Sequence, residues 1–68
     1  MLITLNGQRR QLPAGATVAN VIELLDVAPQ ARGVAVALNG EVVARGRWEQ
    51  TELPDDAQIE VVAAIQGG

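Results

Sequence analysis

The sequence predicts an α+β domain in which one helix packs across one face of a β-sheet. Three observations carry this prediction. Two Asn-Gly dipeptides, Asn6-Gly7 and Asn39-Gly40, each join two short segments of strand character. Between those hairpins the apolar spacing changes from two residues to the helical period. A final segment, Ile59 to Ile65, is dense in valine and isoleucine and suits a central strand with both faces covered or nearly so.

Taken in chain order, Leu2-Ile3-Thr4-Leu5 reads as a strand entering a two-residue turn. Asn-Gly supplies the positive φ values that a type I′ hairpin demands. The return strand, Gln8 to Leu12, is polar enough for a sheet edge, where its charges discourage edge-to-edge association. Pro13 stops it, and Ala14-Gly15-Ala16 makes a short loop. Thr17 is the expected helix N-cap, its hydroxyl accepting from a free backbone amide for about 1 kcal/mol. Val18, Val21, Ile22, Leu24 and Leu25 then carry the helical period, with Glu23 and Asp26 on the wet side. Pro29 biases Ala28 away from helical angles, so the helix is expected to end by about Val27. At about ten residues it would be marginal alone and must lie on a sheet.

The second hairpin is built like the first. Val34-Ala35-Val36-Ala37-Leu38 alternates large with small residues, Asn39-Gly40 turns the chain, and Glu41-Val42-Val43-Ala44 returns. Arg45 to Gln58 reads as irregular, with Leu53 an inward plug and Pro54-Asp55-Asp56 a turn. In the last strand Ile59, Val61, Ala63 and Ile65 share one side; Glu60, Val62 and Ala64 share the other. Ala35, Ala37, Val62 and Ala64 therefore fall on the face opposite the helix. That short apolar patch reads either as a partner surface or as small-residue packing beneath the irregular loop.

Composition narrows the function classes. With 68 residues one domain is expected, and a chain of this size buries only roughly 60% of its unfolded surface. Trp48 is the sole aromatic, and cysteine, histidine, serine, lysine and tyrosine are all missing. Those absences remove most nucleophiles, general bases and metal ligands, and argue against an autonomous enzyme. No disulfide framework is possible. Five arginines against eight acidic residues give a net charge of −3, unsuited to nucleic acid, and Arg9-Arg10 and Arg45/Arg47 read as a solvated face. Asp55-Asp56 and Glu49/Glu52 read as turn chemistry and solvation, so no metal site is expected. Met1-Leu2-Ile3-Thr4 opens without a basic stretch and a long apolar run, so neither a secretory signal nor a membrane span is expected, and the cytoplasm is the default compartment.

The remaining chemistry lies at Gln66-Gly67-Gly68. Read as a true terminus, this arm presents its own α-carboxylate, and three extended residues reach roughly 10 Å. Glycine lets backbone enter a channel that any Cβ would block. The bland reading is a frayed end. An ionised carboxylate resists nucleophiles, and adenylation by ATP would give it a leaving group. The nucleotide, its magnesium and the cationic groups would have to sit on a partner enzyme, because this chain holds no equipment for them. The missing lysines mean that no ε-amine here could attack the activated tail, although an arginine-biased genome gives the same composition.

At this point the sequence resembles the small ubiquitin-like sulfur carriers of thiamin biosynthesis, the ThiS type, along nearly its whole length. The resemblance rests on Met1 to Leu5 with Asn6-Gly7, Gly15-Ala16-Thr17-Val18, and Ala35-Val36-Ala37-Leu38-Asn39-Gly40-Glu41-Val42-Val43. It continues through Arg45, Trp48, Leu53 and Asp55 to Ile59-Glu60-Val61-Val62 and Gln66-Gly67-Gly68. Ala44 replaces the family's usual proline, and Asp55-Asp56-Ala57 stands where Asp-Gly-Asp is usual. Aspartate tolerates a left-handed angle, so the turn is expected to survive.

The resemblance implies a ubiquitin-like β-grasp fold: a mixed sheet of four to five strands, the first and last adjacent and parallel at its centre. Residues 1–65 would form the domain and 66–68 a flexible tail. It implies that a ThiF-type adenylyltransferase, carrying ATP and magnesium, activates Gly68. A persulfide donor such as a cysteine desulfurase would supply sulfur, and the thiocarboxylate would feed thiazole synthase. The chain itself would be a carrier and co-substrate with no bound cofactor. The alternatives are a carrier for molybdopterin or cysteine synthesis, and a ubiquitin-like binding module or modifier with no sulfur role.

Overall fold

The computed structural model describes residues 1–25 and 33–63. Strand β1 (Leu2–Leu5) and strand β2 (Gln8–Gln11) form the first hairpin, and helix α1 (Val18–Leu24) follows. Strands β3 (Val34–Leu38) and β4 (Glu41–Val43) form the second hairpin, and β5 (Gln58–Ala63) is the last described strand. The five strands make one sheet in the order β2-β1-β5-β3-β4. β5 runs parallel to β1 and antiparallel to β3, so the last strand is central and the sheet is mixed. This is the β-grasp arrangement, with polar β2 at one edge.

Both turns take the expected geometry. Asn6 and Gly7 have φ of 49° and 83°, and Asn39 and Gly40 have φ of 50° and 85°. All four values lie in the left-handed region, where asparagine and glycine are least penalised. Asp56 also turns left-handed, at φ 63°, so the departure at Asp55-Asp56-Ala57 keeps its turn.

Thr17 is the N-cap. Its hydroxyl accepts from the Asn20 amide, and the Asn20 side chain accepts from the Thr17 amide at 2.8 Å, closing a capping box. The next two free amides of the helix are used by the irregular segment: Val18 N–H donates to Thr51 O and Ala19 N–H to Trp48 O, both at 3.0 Å. The sequence places the helix end by about Val27, and the described helix runs to Leu24 with Leu25 as its C-cap. Asp26 and Val27 lie outside the described residues.

Leu24 corrects the helix-face assignment, since it is 47% exposed. At about 100° per residue, Val18, Val21, Ile22 and Leu25 cluster in one stripe while Leu24 falls well off it. The first three are buried against Ile3, Leu5, Val36 and Ile59 from the sheet. Trp48, Leu53, Leu12, Ala16 and Ala57 close the ends of this core. Leu53 is thus the inward plug expected of it. The segment before it is less irregular than the sequence suggested, because Arg45–Arg47 form a short 3-10 turn. Gln58, assigned to that segment, instead begins β5.

Candidate functional site

The sequence-predicted site has two parts, Gln66-Gly67-Gly68 and the sheet face opposite the helix. Gln66, Gly67 and Gly68 lie outside the described residues, as does Ala64. The strand that leads toward them is well defined. The parallel register of β1 and β5 pairs Thr4 with Gln58 and Leu5 with Ile59. On its other edge β5 pairs with β3 from Leu38 opposite Ile59 to Val34 opposite Ala63.

That register assembles the outer face. Ile59 is buried and Val61 half-buried on the helix side, so Glu60 and Val62 point away from the helix. Ala35 sits directly opposite Val62, and Ala37 opposite Glu60. Ala35 is exposed, Ala37 half-buried, and Val62 is 63% exposed. Three of the four residues assigned to this face therefore share it.

One residue that sequence reasoning left out joins them. Val42 in β4 is 79% exposed and lies opposite Ala37 on that strand's other edge. The two-residue turn at Asn39-Gly40 already pairs position 37 with 42, so the signal was present in the sequence. Val42, Ala37, Ala35 and Val62 form an uncovered apolar strip with the Glu60 carboxylate along it. Scattered exposed apolar residues are ordinary, but a contiguous strip on one face has the composition of a docking surface.

Charge lies mainly around the strip. Arg9 Nη1 donates to Asp56 Oδ1 at 2.8 Å and to Thr4 Oγ1 at 3.1 Å, tying β2 to the turn before β5. Both partners are more than half exposed, so the pair contributes under about 1 kcal/mol. Arg45 is placed with its guanidinium 4.8 Å from the centre of the Trp48 ring. These arginines, expected as a solvated face, thus have local partners. A groove of about 420 Å³ on the helix side is lined by Ala19, Ile22, Glu23, Arg45, Gly46, Trp48 and Glu49, none of them a nucleophile. Among the described residues no three acidic side chains gather as a metal site, and no helix is long and apolar enough to cross a membrane.

Comparison with known proteins places this geometry in context. A family model described as "ThiS family" matches residues 3–68. The chain is similar to the sulfur carrier protein ThiS of Escherichia coli strain K12, 38% identical over the full length of both. It is also 43% identical, over all its 68 residues, to part of a thiazole synthase of Magnetococcus marinus, spanning 20% of that protein. Among solved structures it resembles the crystal structure of a thiamine biosynthesis protein (ThiS) from Geobacter metallireducens, with a TM-score of 0.75, 35% identity and complete coverage of both chains. The solution structure of a thiamine biosynthesis protein from that organism gives a TM-score of 0.77 at 33% identity, covering all of this chain and 88% of the other.

Proposed function

Because this chain belongs to the ThiS family, the sulfur carriers of thiamin biosynthesis, we propose that Gly68 carries the sulfur as a terminal thiocarboxylate. The observation that carries the reading is the family match through Gly68, together with 38% identity across the whole length of a sulfur carrier. A carboxylate oxygen of Gly68 attacks the α-phosphorus of ATP held by a ThiF-type adenylyltransferase, and pyrophosphate leaves. The terminal sulfur of a persulfide, supplied by a cysteine desulfurase, then displaces AMP. Cleavage of the resulting S–S bond by a thiol reductant leaves the thiocarboxylate.

The chain is in this reading a co-substrate and no catalyst. Magnesium and ATP belong to the adenylyltransferase in this reading, because the sequence has no lysine and no glycine-rich phosphate loop to hold a triphosphate. Thiazole synthase is the proposed acceptor. Two thiazole synthases, from Magnetococcus marinus and Paramagnetospirillum magneticum, each contain a segment similar to this entire chain. A carrier-like segment within the synthase polypeptide supports their working together. The strip of Ala35, Ala37, Val42 and Val62 is the proposed docking face, and Gly68, preceded by Gln66-Gly67, the residue that carries the sulfur. The compartment proposed is the cytoplasm, where adenylation and persulfide chemistry have their co-substrates.

ATP–pyrophosphate exchange tests the reading. The full-length chain should support exchange with the adenylyltransferase, and deletion of Gly68 should abolish it without moving the thermal melt. Among the described residues the buried core ends at Ile59, so loss of one terminal glycine is expected to cost little stability. Normal exchange by the truncated chain would overturn the proposal.

A further inference from the structure

Two hairpin asparagines share the same local geometry but hold opposite ends of the central strand. Asn39, at φ 50°, accepts from the Gln58 amide through Oδ1 at 2.8 Å, and its own amide donates to Gln58 O at 2.7 Å. Asn6, at φ 49°, accepts from the Val61 amide through Oδ1 at 2.9 Å, and its Nδ2 donates to Val61 O at 3.4 Å. Gln58 begins β5, whereas Val61 lies on the side from which the chain continues toward Gly68.

The need for the Asn6 contact follows from the sheet. β1 leaves the parallel ladder after Leu5, because the turn at Asn6-Gly7 sends the chain into β2. The Asn6 amide still donates to Ile59 O at 2.9 Å, but the next backbone pair on that edge of β5 belongs to Val61 and has no strand beside it. Unpaired strand-edge groups either find water or a side chain that mimics backbone. The carboxamide of Asn6, through one N–H and its carbonyl oxygen, replaces the missing rung. Its left-handed backbone aims it there, so one residue both turns the hairpin and extends the ladder.

We infer that Asn6 is a positioning residue for Gly68: its carboxamide, clamped on Val61, fixes the part of β5 from which the chain continues to the residue the adenylating enzyme acts on. The inference rests on the carrier reading above. A strand held at Val61, seven residues before Gly68, loses less freedom of its own when the carrier docks on its enzyme. Asn39 lacks this consequence, since its bonds fix the far end of the same strand.

The paired substitutions Asn6→Gly and Asn39→Gly separate positioning from plain stability. Glycine accepts both positive φ values, so each hairpin is retained and only the side-chain bonds are lost. Asn6→Gly should speed hydrogen exchange of the Val61 amide, and raise the carrier concentration that half-saturates pyrophosphate exchange, each by on the order of tenfold. The rate at saturating carrier should be unchanged. Asn39→Gly should leave half-saturation unchanged while costing a similar shift in melting temperature. Asn6→Asp, which keeps the acceptor for Val61 N–H and tolerates the left-handed angle, should recover most of the loss and carries the test if the glycine variant does not fold. Equal effects from the two glycine variants, or none from either, would overturn the inference. Exchange at Val61 needs no partner enzyme, so a wild-type chain that is never adenylated condemns the carrier reading separately from the clamp.

Discussion

The indole Nε1 of Trp48 donates a hydrogen bond to the carbonyl oxygen of Val43 at 3.0 Å. The same residue's carbonyl accepts from Ala19 N–H at 3.0 Å, so one side chain and its backbone tie the end of β4 to the start of α1. Trp48 is 6% exposed and packs at the end of the core, with the Arg45 guanidinium over its ring. A single aromatic thus organises the longest connection among the described residues, which an aliphatic side chain of any size would leave without its polar anchor.

Trp48→Phe should therefore destabilise the fold by about 1–3 kcal/mol, through the lost bond, the unpaired Val43 carbonyl and the smaller ring. Urea unfolding followed by circular dichroism would measure it, since the substitution removes the only indole fluorophore. A loss below about 0.5 kcal/mol, the size of an ordinary surface change, would show that the anchor contributes nothing.

Two positions on opposite faces of β5 should respond differently to loss of apolar volume. Ile59 is 1% exposed at the centre of the sheet, and Ile59→Val should cost about 0.5–1.5 kcal/mol. Val62 stands three residues on and points outward, so Val62→Ala should stay within about 0.5 kcal/mol of wild type. The urea midpoints, at unchanged slope, give both values. Equal losses at the two positions would mean that the outer face is covered within the monomer.

A charge on the outer face separates docking from folding. Val62→Asp should move the stability by less than about 1 kcal/mol, because the carboxylate stays in water and only strand propensity is lost. Binding to the adenylyltransferase should weaken by on the order of tenfold or more, because the charge would be desolvated in an interface core. Calorimetric titration beside a thermal melt reads both quantities. Unchanged affinity would place the docking face elsewhere, and unfolding would return Val62 to the core.

The elements legible in the sequence were those with a local cause. Asn6-Gly7 and Asn39-Gly40 dictate their own turns, Thr17 caps whatever helix follows, and the alternation in Ile59 to Val62 assigns inner and outer faces without tertiary information. Misreadings began where a residue's role depends on distant chain. Leu24 carried helical spacing, yet its angle around the axis points it to solvent. Arg45–Arg47 show no turn signal beyond one glycine, and their 3-10 turn is held by Trp48 packing on the core. Asn20 closes the capping box where glutamate or glutamine is usual, a substitution the pattern alone does not flag. Within the candidate site, Ala35, Ala37 and Val62 were readable from strand alternation, and Val42 from the turn register. The role proposed for Gly67-Gly68 rests on composition and family resemblance, because glycine has no side chain from which to read one.

The central claim is that sulfur travels on Gly68, and intact-mass spectrometry of the chain purified from cells expressing the adenylyltransferase and a persulfide donor tests it most directly. With no cysteine in the chain and one thioether at Met1, its side chains offer no thiol to account for an added reactive sulfur. The predicted result is a species heavier by the mass difference between sulfur and oxygen, with fragmentation confining the change to Gly68 and a thiol-alkylating reagent labelling it. Recovery of only the unmodified chain with ATP, enzyme and donor all present would contradict the account, as would branched peptides ending in Gly67-Gly68 on the lysines of other proteins.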